Sequence, residues 1–194
     1  MANTLNFTLS EKNIKMCILG DVNQSIFDFN GADNRYIKYA DKLYVFNKFP
    51  WISCKLSTSY RITKEMSIFI NQCMMGYDRI LSNKISNLKP RYIICDTFGT
   101  LSSRENRTYS EVEYYLNMNY KPGEIFILAP SLRNSKSSAR ALENLIKLRM
   151  PHIQVFVPTN DDETLDNDVI ENKIVFSTFH QTKGLERKVV LIFG

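Results

Sequence analysis

Residues Ile127–Leu148, with the sequence ILAPSLRNSKSSARALENLIKL, contain the clearest fold signal in the chain. They begin within an apolar run, Ile125–Ala129, that has no alternating polar positions. They end in a predicted helix, Ser137–Leu148, whose apolar stripe is supplied by Leu142, Leu145, Ile146 and Leu148. A continuously apolar strand is typical of a parallel sheet that is covered on both faces. This block therefore predicts one strand–helix unit of an α/β fold.

The same alternation of strands and helices extends in both directions from this block. Further strands are predicted at Ile14–Leu19, Ile52–Leu56, Tyr92–Cys95, Ile153–Val157, Ile174–Ser177 and Val189–Phe193. Further helices are predicted at Thr63–Met75, with Thr63 as N-cap, and from a capping box at Thr108–Glu111 to about Met118. Strand–helix alternation favours a three-layer α/β domain with a mostly parallel sheet.

Length and composition indicate one ordinary globular domain. The chain has 194 residues, of which 44% are hydrophobic and 23% charged, and a domain typically has about 150 residues. We therefore predict a single domain over residues 1–194 and exclude a disordered tail, a collagen-like chain and a coiled coil. The net charge of +5 permits a polyanionic partner without requiring one. The acidic run Thr159–Asp168 is predicted to be an exposed loop.

The cysteines and the absence of targeting segments indicate an intracellular protein, either cytoplasmic or nuclear, and a viral source fits equally well. Cys17, Cys54, Cys73 and Cys95 show no C-x-x-C spacing, so we predict reduced core residues and no metal site. No signal peptide precedes the first strand, and no apolar stretch is long enough to span a membrane.

Three polar motifs follow predicted strands, where α/β folds place groups that contact ligands. Gly20–Ala32 (GDVNQSIFDFNGA) contains Gln24, whose amide both donates and accepts hydrogen bonds. Leu56–Arg61 (LSTSYR) offers a tyrosine that can stack on a base and an arginine that can bind a phosphate. Each of these two motifs alone also fits an ordinary turn or surface. Thr178–Glu186 (TFHQTKGLE) gathers four kinds of polar group between two apolar strands, which favours a functional turn.

Taken together, the motifs resemble those of superfamily 1 DNA helicases of the UvrD/Rep type. In family order, Gly20–Ala32 resembles motif III (GDxxQSIYxFRGA), Leu56–Arg61 motif IV (LxxNYRS) and Thr178–Glu186 motif V (THQxKGLE). Ile127–Leu148 resembles the block that the family carries between motifs IV and V. The chain departs from the family pattern at Phe27, Asn30, Ser59 and Arg187. The resemblance implies that residues 1–194 form the second, C-terminal RecA-like lobe, of the P-loop NTPase type, without the usual insertion before motif V.

The resemblance also implies roles for individual residues. Gln24 and Arg61 would be the catalytic residues, because their family counterparts contact the γ-phosphate of ATP. The other implied nucleotide contacts are Tyr60 on the adenine, Glu186 on the ribose, and Gly184. The implied DNA contacts are Phe29, stacked on single-stranded bases, and Thr178 and His180 along the DNA track.

Several parts of a complete motor are missing from the sequence. No Gly-Lys dipeptide occurs, so there is no phosphate-binding P-loop, and no Asp-Glu pair directly follows a strand to bind Mg²⁺. Motif VI is also absent. The chain is therefore expected to be an excised piece or part of a split reading frame, and to be inactive alone as an ATP hydrolase. ATP with Mg²⁺ would bind only in the intact two-lobe enzyme, with a first lobe supplied in cis or in trans. That enzyme would move 3′ to 5′ on single-stranded or partly duplex DNA.

Two other functions remain open from the sequence. The first is a non-catalytic module that binds single-stranded nucleic acid and derives from a helicase lobe; the missing P-loop and Asn30 favour it. The second is an unrelated α/β enzyme or dinucleotide-binding protein. It is disfavoured because no G-x-G-x-x-G motif and no nucleophile–histidine pair occur in the sequence.

Overall fold

The computed structural model describes residues 15–27, 30–45, 50–96, 106–159 and 165–194. The chain divides into two compact units, Met1–Ile93 and Ile94–Gly194. The prediction that residues 1–194 form one motor lobe stays a prediction.

The second unit is built on a four-stranded sheet. Its strands are β1 (Ile125–Ala129), β2 (Val155–Phe156), β3 (Ile174–Thr178) and β4 (Val189–Ile192), in the spatial order β2–β3–β1–β4. All three pairings are parallel. Every residue of β1 and β3 is buried, including Ser177 and Thr178 at the end of the otherwise apolar β3. The predicted α/β class and parallel sheet are confirmed, although β2 is shorter than the predicted strand Ile153–Val157.

Helices cover both faces of this sheet. Helices α4 (Arg107–Asn117) and α5 (Ser138–Arg149) pack on the face that receives Ile125 and Ile127 of β1. Helix α6 (Asn167–Ile170) packs through Ile170 on the opposite face, with Phe126 and Leu128. The connection from β1 to β2 crosses the sheet in one direction, and the connection from β2 to β3 crosses it in the opposite direction. Because both crossovers are right-handed, they lie on opposite faces of the sheet. The result is a three-layer arrangement, as predicted.

Helix α5 confirms most of the predicted helix but corrects one residue. Ser137 caps its N-terminus by accepting a hydrogen bond from the Arg140 N–H at 3.3 Å. Leu142, Leu145 and Ile146 are buried as predicted, whereas Leu148 is 70% exposed. At about 100° per residue, Leu148 lies roughly 120° away from Leu142 around the helix axis. That rotation takes Leu148 off the face that meets the sheet, so its predicted place in the apolar stripe is wrong.

The start of α4 differs from the predicted capping box. The N-cap is Asn106, whose Oδ1 accepts a hydrogen bond from the Tyr109 N–H at 3.1 Å. The Thr108 hydroxyl donates to the same Oδ1 at 2.6 Å, inside the first turn. Glu111 instead pairs with Arg107 at 3.0 Å. Asparagine and threonine are both good N-caps, so residue type alone did not locate the first turn.

Over its described residues, the first unit contains short helices and almost no strand. Its helices are α1 (Arg35–Lys38), α2 (Ala40–Leu43) and α3 (Lys64–Phe69), and α3 continues as a π-helix over Ile70–Met75. The predicted N-cap Thr63 is confirmed, because its hydroxyl accepts from the Met66 N–H at 3.2 Å.

The strands predicted at Ile52–Leu56 and Tyr92–Cys95 are not present. Residues 15–19 of the first predicted strand also form no ladder, and Ile14 lies outside the described residues. Ile52, Leu56 and Tyr92 are all more than four-fifths exposed. An apolar run becomes a strand only where a neighbouring strand pairs with its backbone. In the described part of this unit, such pairing is limited to a bridge between Thr58 and Leu81.

The cysteines and the acidic run also differ from expectation. Cys17, Cys54 and Cys73 are exposed and Cys95 is half-buried, so the prediction that all four are core residues is wrong. All four are free thiols. Residues 160–164 of the predicted acidic loop lie outside the described residues. The same run also contributes Leu165 to the core beneath α6.

Candidate functional site

Gln24 lies in a tight turn over Gly20–Gln24, here called the Gln24 turn. Asp21 caps a 3₁₀ turn by accepting a hydrogen bond from the Asn23 N–H at 2.9 Å. The Gln24 N–H donates to the Asp21 carbonyl at 3.0 Å, and the Gln24 side-chain Nε2 donates to Asp21 Oδ2 at 3.3 Å. A side chain at Gly20 would overlap Ile37. Hydrogen bonds to Asp21 therefore hold both the backbone N–H and the side-chain amide of Gln24.

Asp21 is also bound from a distant part of the chain. Arg79 Nη2 lies 2.5 Å from Asp21 Oδ1, and the two side chains are 32% and 31% exposed. Burial raises the pKa of Asp21, but the hydrogen bonds from Arg79 and the Asn23 N–H outweigh it. The pKa therefore lies below its ordinary value of 3.8, and Asp21 is ionised at neutral pH.

The chain turns again after the Gln24 turn. The N–H groups of Asn30 and Ala32 both donate to the Phe27 carbonyl, at 2.9 and 3.3 Å. Gly31 has φ +78°, a conformation that glycine adopts without strain. Phe29 lies outside the described residues, so its stacking on DNA bases stays a prediction.

Tyr60 and Arg61 lie in a second turn, Ser57–Arg61, here called the Tyr60 turn. The Ser59 hydroxyl accepts hydrogen bonds from the N–H groups of Arg61 and Ile62, at 3.3 and 3.4 Å. Serine thus stabilises the turn at the position where the helicase motif has asparagine. Tyr60 is 89% exposed, and Arg61 is also exposed. Both side chains are accessible to a ligand, as their predicted roles require.

One short segment, Arg79–Ser82, contacts both turns, and we call it the linking segment. Arg79 binds Asp21 of the Gln24 turn. Leu81 pairs with the Tyr60 turn through two backbone hydrogen bonds of 2.8 Å, to Ser57 and Ser59. The structure therefore connects Gln24 with Tyr60 and Arg61 through this segment, within one compact unit.

A buried asparagine fixes the linking segment to the π-helix that continues α3. Asn71 is 5% exposed. Its Oδ1 accepts from the N–H groups of Arg79 and Ile80 at 3.2 and 3.1 Å, and its Nδ2 donates to the Ile80 carbonyl at 2.9 Å. Ser82 adds a hydrogen bond to the Ile62 carbonyl at 2.7 Å. These side chains satisfy backbone groups that no strand ladder pairs.

The third motif, Thr178–Glu186, forms a turn at the carboxyl end of β3 in the second unit, here called the Lys183 turn. The hydroxyls of Ser177 and Thr178 donate to Gln181 Oε1 at 3.2 and 3.3 Å. The Thr182 hydroxyl donates to the Thr178 carbonyl at 3.0 Å. Thr178 is buried, so its side chain helps to build the turn. Its predicted contact with DNA stays a prediction.

The outer part of the Lys183 turn carries the other predicted residues. The side chains of His180, Lys183 and Glu186 are exposed, and the turn therefore presents an imidazole, an ammonium and a carboxylate. Gly184 has φ +90°, which favours glycine there. The roles of His180, Gly184 and Glu186 toward DNA or nucleotide stay predictions. These residues lie in the second unit, whereas Gln24, Tyr60 and Arg61 lie in the first.

Arg187, at the position where the helicase motif has an aromatic residue, packs against the sheet. Its guanidinium lies over the Phe126 ring, 5.3 Å from the ring centre, and Nη2 donates to the Ile170 carbonyl at 3.4 Å. Burial lowers the pKa of Arg187, although Glu124 partly opposes this shift. Arg187 thus packs on the α6 side of the sheet, where the family motif has an aromatic residue.

The motifs did not identify Asp21, Asn71 or Arg79 as parts of the site. The Asp-x-x-Gln spacing at Asp21 is a local signal for an N-cap. Asn71 and Arg79 carry no comparable signal, because their partners lie in distant parts of the sequence.

Among the described residues, no three His, Cys, Asp or Glu side chains lie close enough together to hold a metal ion. No helix in the described ranges has the length and apolar character needed to cross a membrane.

Comparison with known families gives one match. The family model described as the UvrD/REP helicase N-terminal domain matches residues 2–45, which include the whole Gly20–Ala32 motif. No match to a curated protein or to a solved structure was found. The family match covers less than a quarter of the chain and supports a relationship with UvrD-like helicases. It is a match to the N-terminal domain, so it does not support assigning residues 2–45 to the C-terminal lobe.

Proposed function

We propose that this chain is a segment of a UvrD-like DNA helicase that contributes one side of the ATP site. The observation that carries this proposal is the linking segment, which binds Asp21 beside Gln24 and pairs with the Tyr60 turn. Two turns that resemble separate helicase motifs are thereby held together, although Gln24 and Arg61 are far apart in sequence. The family match over residues 2–45, which includes the first of these turns, supports the same conclusion.

We further propose that the chain contains parts of both helicase lobes. The family match supports placing residues 2–45 in the N-terminal lobe. The parallel sheet of the second unit, with the Lys183 turn at the carboxyl end of β3, suits the C-terminal RecA-like lobe. Ligands in α/β sheets bind outside the carboxyl ends of the strands. His180, Gly184 and Glu186 would therefore face ligand at that edge.

The chemistry of the first unit suits a nucleotide. An exposed tyrosine can stack on adenine, and an adjacent arginine can neutralise the charge that develops on a transferring phosphoryl group. Such an arginine contributes roughly 10³–10⁵ in rate. The described residues supply no cluster of Mg²⁺ ligands. In this proposal the ion is therefore held by the nucleotide phosphates and by a lobe that carries a P-loop.

The test is a complementation assay with the full chain. Alone, the chain is expected to show no ATP hydrolysis above background. When the P-loop-containing lobe of a UvrD-like helicase is added, DNA-stimulated hydrolysis should appear. Arg61→Ala should then lower kcat by about 10³-fold, whereas Lys89→Ala, an exposed cation of the same unit, should leave it unchanged. Equal kcat values for wild type, Arg61→Ala and Gln24→Ala would refute the proposal.

The second candidate function is non-catalytic binding of single-stranded nucleic acid. It is favoured by the 89% exposure of Tyr60 and by the net charge of +5. A fluorescent single strand titrated with the full chain at two salt concentrations should then bind in a salt-sensitive manner. Phe29→Ala should weaken this binding by about tenfold, because stacking is worth about 1–3 kcal/mol per base. Absence of binding at low salt would exclude this function.

A further inference from the structure

We propose that Arg79 is a positioning residue, which fixes the Gln24 amide relative to Tyr60 and Arg61 and offsets the negative charge beside Gln24. This inference deepens the proposed function and rests on it for the identity of the ligand, an anionic nucleotide. Arg79 lies outside the three helicase-like motifs.

The Asp21 carboxylate is shared between donors from Arg79, Asn23 and Gln24. One oxygen, Oδ1, accepts hydrogen bonds from Arg79 and from the Asn23 N–H. The other oxygen, Oδ2, accepts from Gln24 Nε2. Because a carboxylate is planar, a guanidinium that holds one of its oxygens also restricts where the second oxygen points. Arg79 therefore controls where the Gln24 amide is held.

Arg79 is itself held in place by its backbone. Its backbone N–H donates to Asn71, which is buried and also holds both backbone groups of Ile80. The following residue, Leu81, pairs with Ser57 and Ser59 of the Tyr60 turn. A displacement of Arg79 would therefore move one turn relative to the other, although Arg79 and Asp21 are 58 residues apart in sequence.

Arg79 also offsets the negative charge of Asp21. An ionised Asp21 hydrogen-bonded to Gln24 would repel an approaching phosphate, because both groups are negative. The Arg79 guanidinium at 2.5 Å offsets that charge, and arginine keeps its own charge at all physiological pH values. Arg79 thus allows the turn to use Asp21 as a structural cap without repelling an anionic ligand.

The two parts of this inference predict different behaviour in single and double variants. Arg79→Ala removes the positioning contact and exposes the charge of Asp21. Asp21→Asn combined with Arg79→Ala removes the charge but not the positioning defect. Arg79→Lys keeps the charge but loses the planar guanidinium. Since the side chains of the pair are about one-third exposed, none of these changes should shift the urea midpoint greatly.

The first experiment measures position without any ligand. In the full chain, NMR rates of exchange with water are compared for the N–H groups of Asn23 and Gln24. Arg79→Ala should accelerate both by about tenfold, the low end for a hydrogen bond to a charged group. Arg107→Ala, which breaks an ion pair with Glu111 in the other unit, is the matched control and should change neither rate. Unchanged rates in Arg79→Ala would overturn the inference.

The second experiment measures binding of a fluorescent ATP analogue to the same full-length variants, each mixed with the P-loop-containing lobe of a UvrD-like helicase. Arg79→Ala should weaken binding by about tenfold, and adding Asp21→Asn should recover part of that loss. If the analogue binds equally well to wild type and to Arg79→Ala, the electrostatic part is refuted while the proposed function stands. If wild type does not bind it but the exchange rates respond as expected, the proposed nucleotide site fails while Arg79 keeps its positioning role.

Discussion

Replacing Glu143 by glutamine removes a negative charge from a position on α5 that is only 5% exposed. The carboxylate accepts hydrogen bonds from Arg140 Nη1 at 2.7 Å and from Lys147 Nζ at 2.6 Å. Arg140 also donates to the Leu132 carbonyl at 3.1 Å, and so joins this helix to the loop that follows β1. Glu143→Gln keeps the size of the side chain and weakens both ion pairs.

The expected cost follows from the exposure of the two partners. The Arg140 side chain is 27% exposed, so its bond to Glu143 contributes about 1.5 kcal/mol, the low end for a hydrogen bond to a charged group. The Lys147 side chain is 56% exposed, and such helical pairs contribute about 0.3–0.5 kcal/mol. Glu143→Gln should therefore lower the free energy of unfolding by roughly 1–2 kcal/mol at pH 7.

The effect should also depend on pH in a defined direction. Burial raises the pKa of Glu143, but the hydrogen bonds from Lys147 and Arg140 outweigh it and hold the pKa below 4.5. A carboxyl whose pKa is lowered in the folded state stabilises the protein above its unfolded pKa, and this stabilisation is lost as pH falls. The difference between wild type and Glu143→Gln should therefore be constant above about pH 5.5 and shrink below pH 4.5.

Urea unfolding of the full chain, followed by circular dichroism at several pH values, measures both effects. Glu113→Gln on the neighbouring helix α4 is the matched control, because Glu113 is exposed. It should change the free energy of unfolding by less than about 0.5 kcal/mol. If Glu143→Gln is as stable as wild type at pH 7, or if its deficit persists unchanged at pH 3.5, the reasoning is refuted.

Three further predictions concern the second unit and are checked by urea unfolding. Leu145→Ala should lower the free energy of unfolding by about 2–5 kcal/mol because it leaves a cavity between α5 and the sheet. Leu148→Ala on the same helix should lower it by less than about 0.5 kcal/mol. Equal losses would contradict the difference in burial between these two leucines. Asn106→Ala should cost about 1 kcal/mol by removing the N-cap of α4, and a larger loss from Thr108→Ala would restore the predicted capping box. Gly184→Ala should cost about 1 kcal/mol or more because its φ is positive, and a neutral result would show that the Lys183 turn relaxes.

The sheet of the second unit was predictable because the apolar sequence of each long strand indicates a buried strand without reference to the rest of the chain. The runs at Ile125–Ala129 and Val189–Ile192 are apolar throughout, Ile174–Thr178 is apolar up to Phe176, and the structure buries β1 and β3 completely. Similar apolar runs at Ile52–Leu56 and Tyr92–Cys95 form no strands. Period and composition describe one segment, whereas a strand also depends on a second segment that pairs with it.

Some residues of the candidate site were likewise predictable from local sequence, whereas others depend on distant contacts. Gln24, Tyr60 and Arg61 were predicted from short motifs, and the structure connects their two turns within one unit. Arg79 and Asn71 were not predicted, because their contribution depends on contacts that no local spacing encodes. The Lys183 turn was predicted as a functional turn, but the internal role of Thr178 follows only from its hydrogen bonds.

The path from β3 to β4 limits how much the Lys183 turn can vary in length. β3 ends beside Ala129 and β4 begins beside Ile125, so the chain must return along β1 by about 13 Å and move sideways by about 10 Å. That diagonal of about 16 Å uses about five extended residues, roughly half of the connection Phe179–Lys188. Arg187 over Phe126 shows that this return runs across the α6 side of the sheet. Deletion of more than about five residues would leave too little chain to complete the crossover, whereas insertions at the exposed tip would lengthen only the turn.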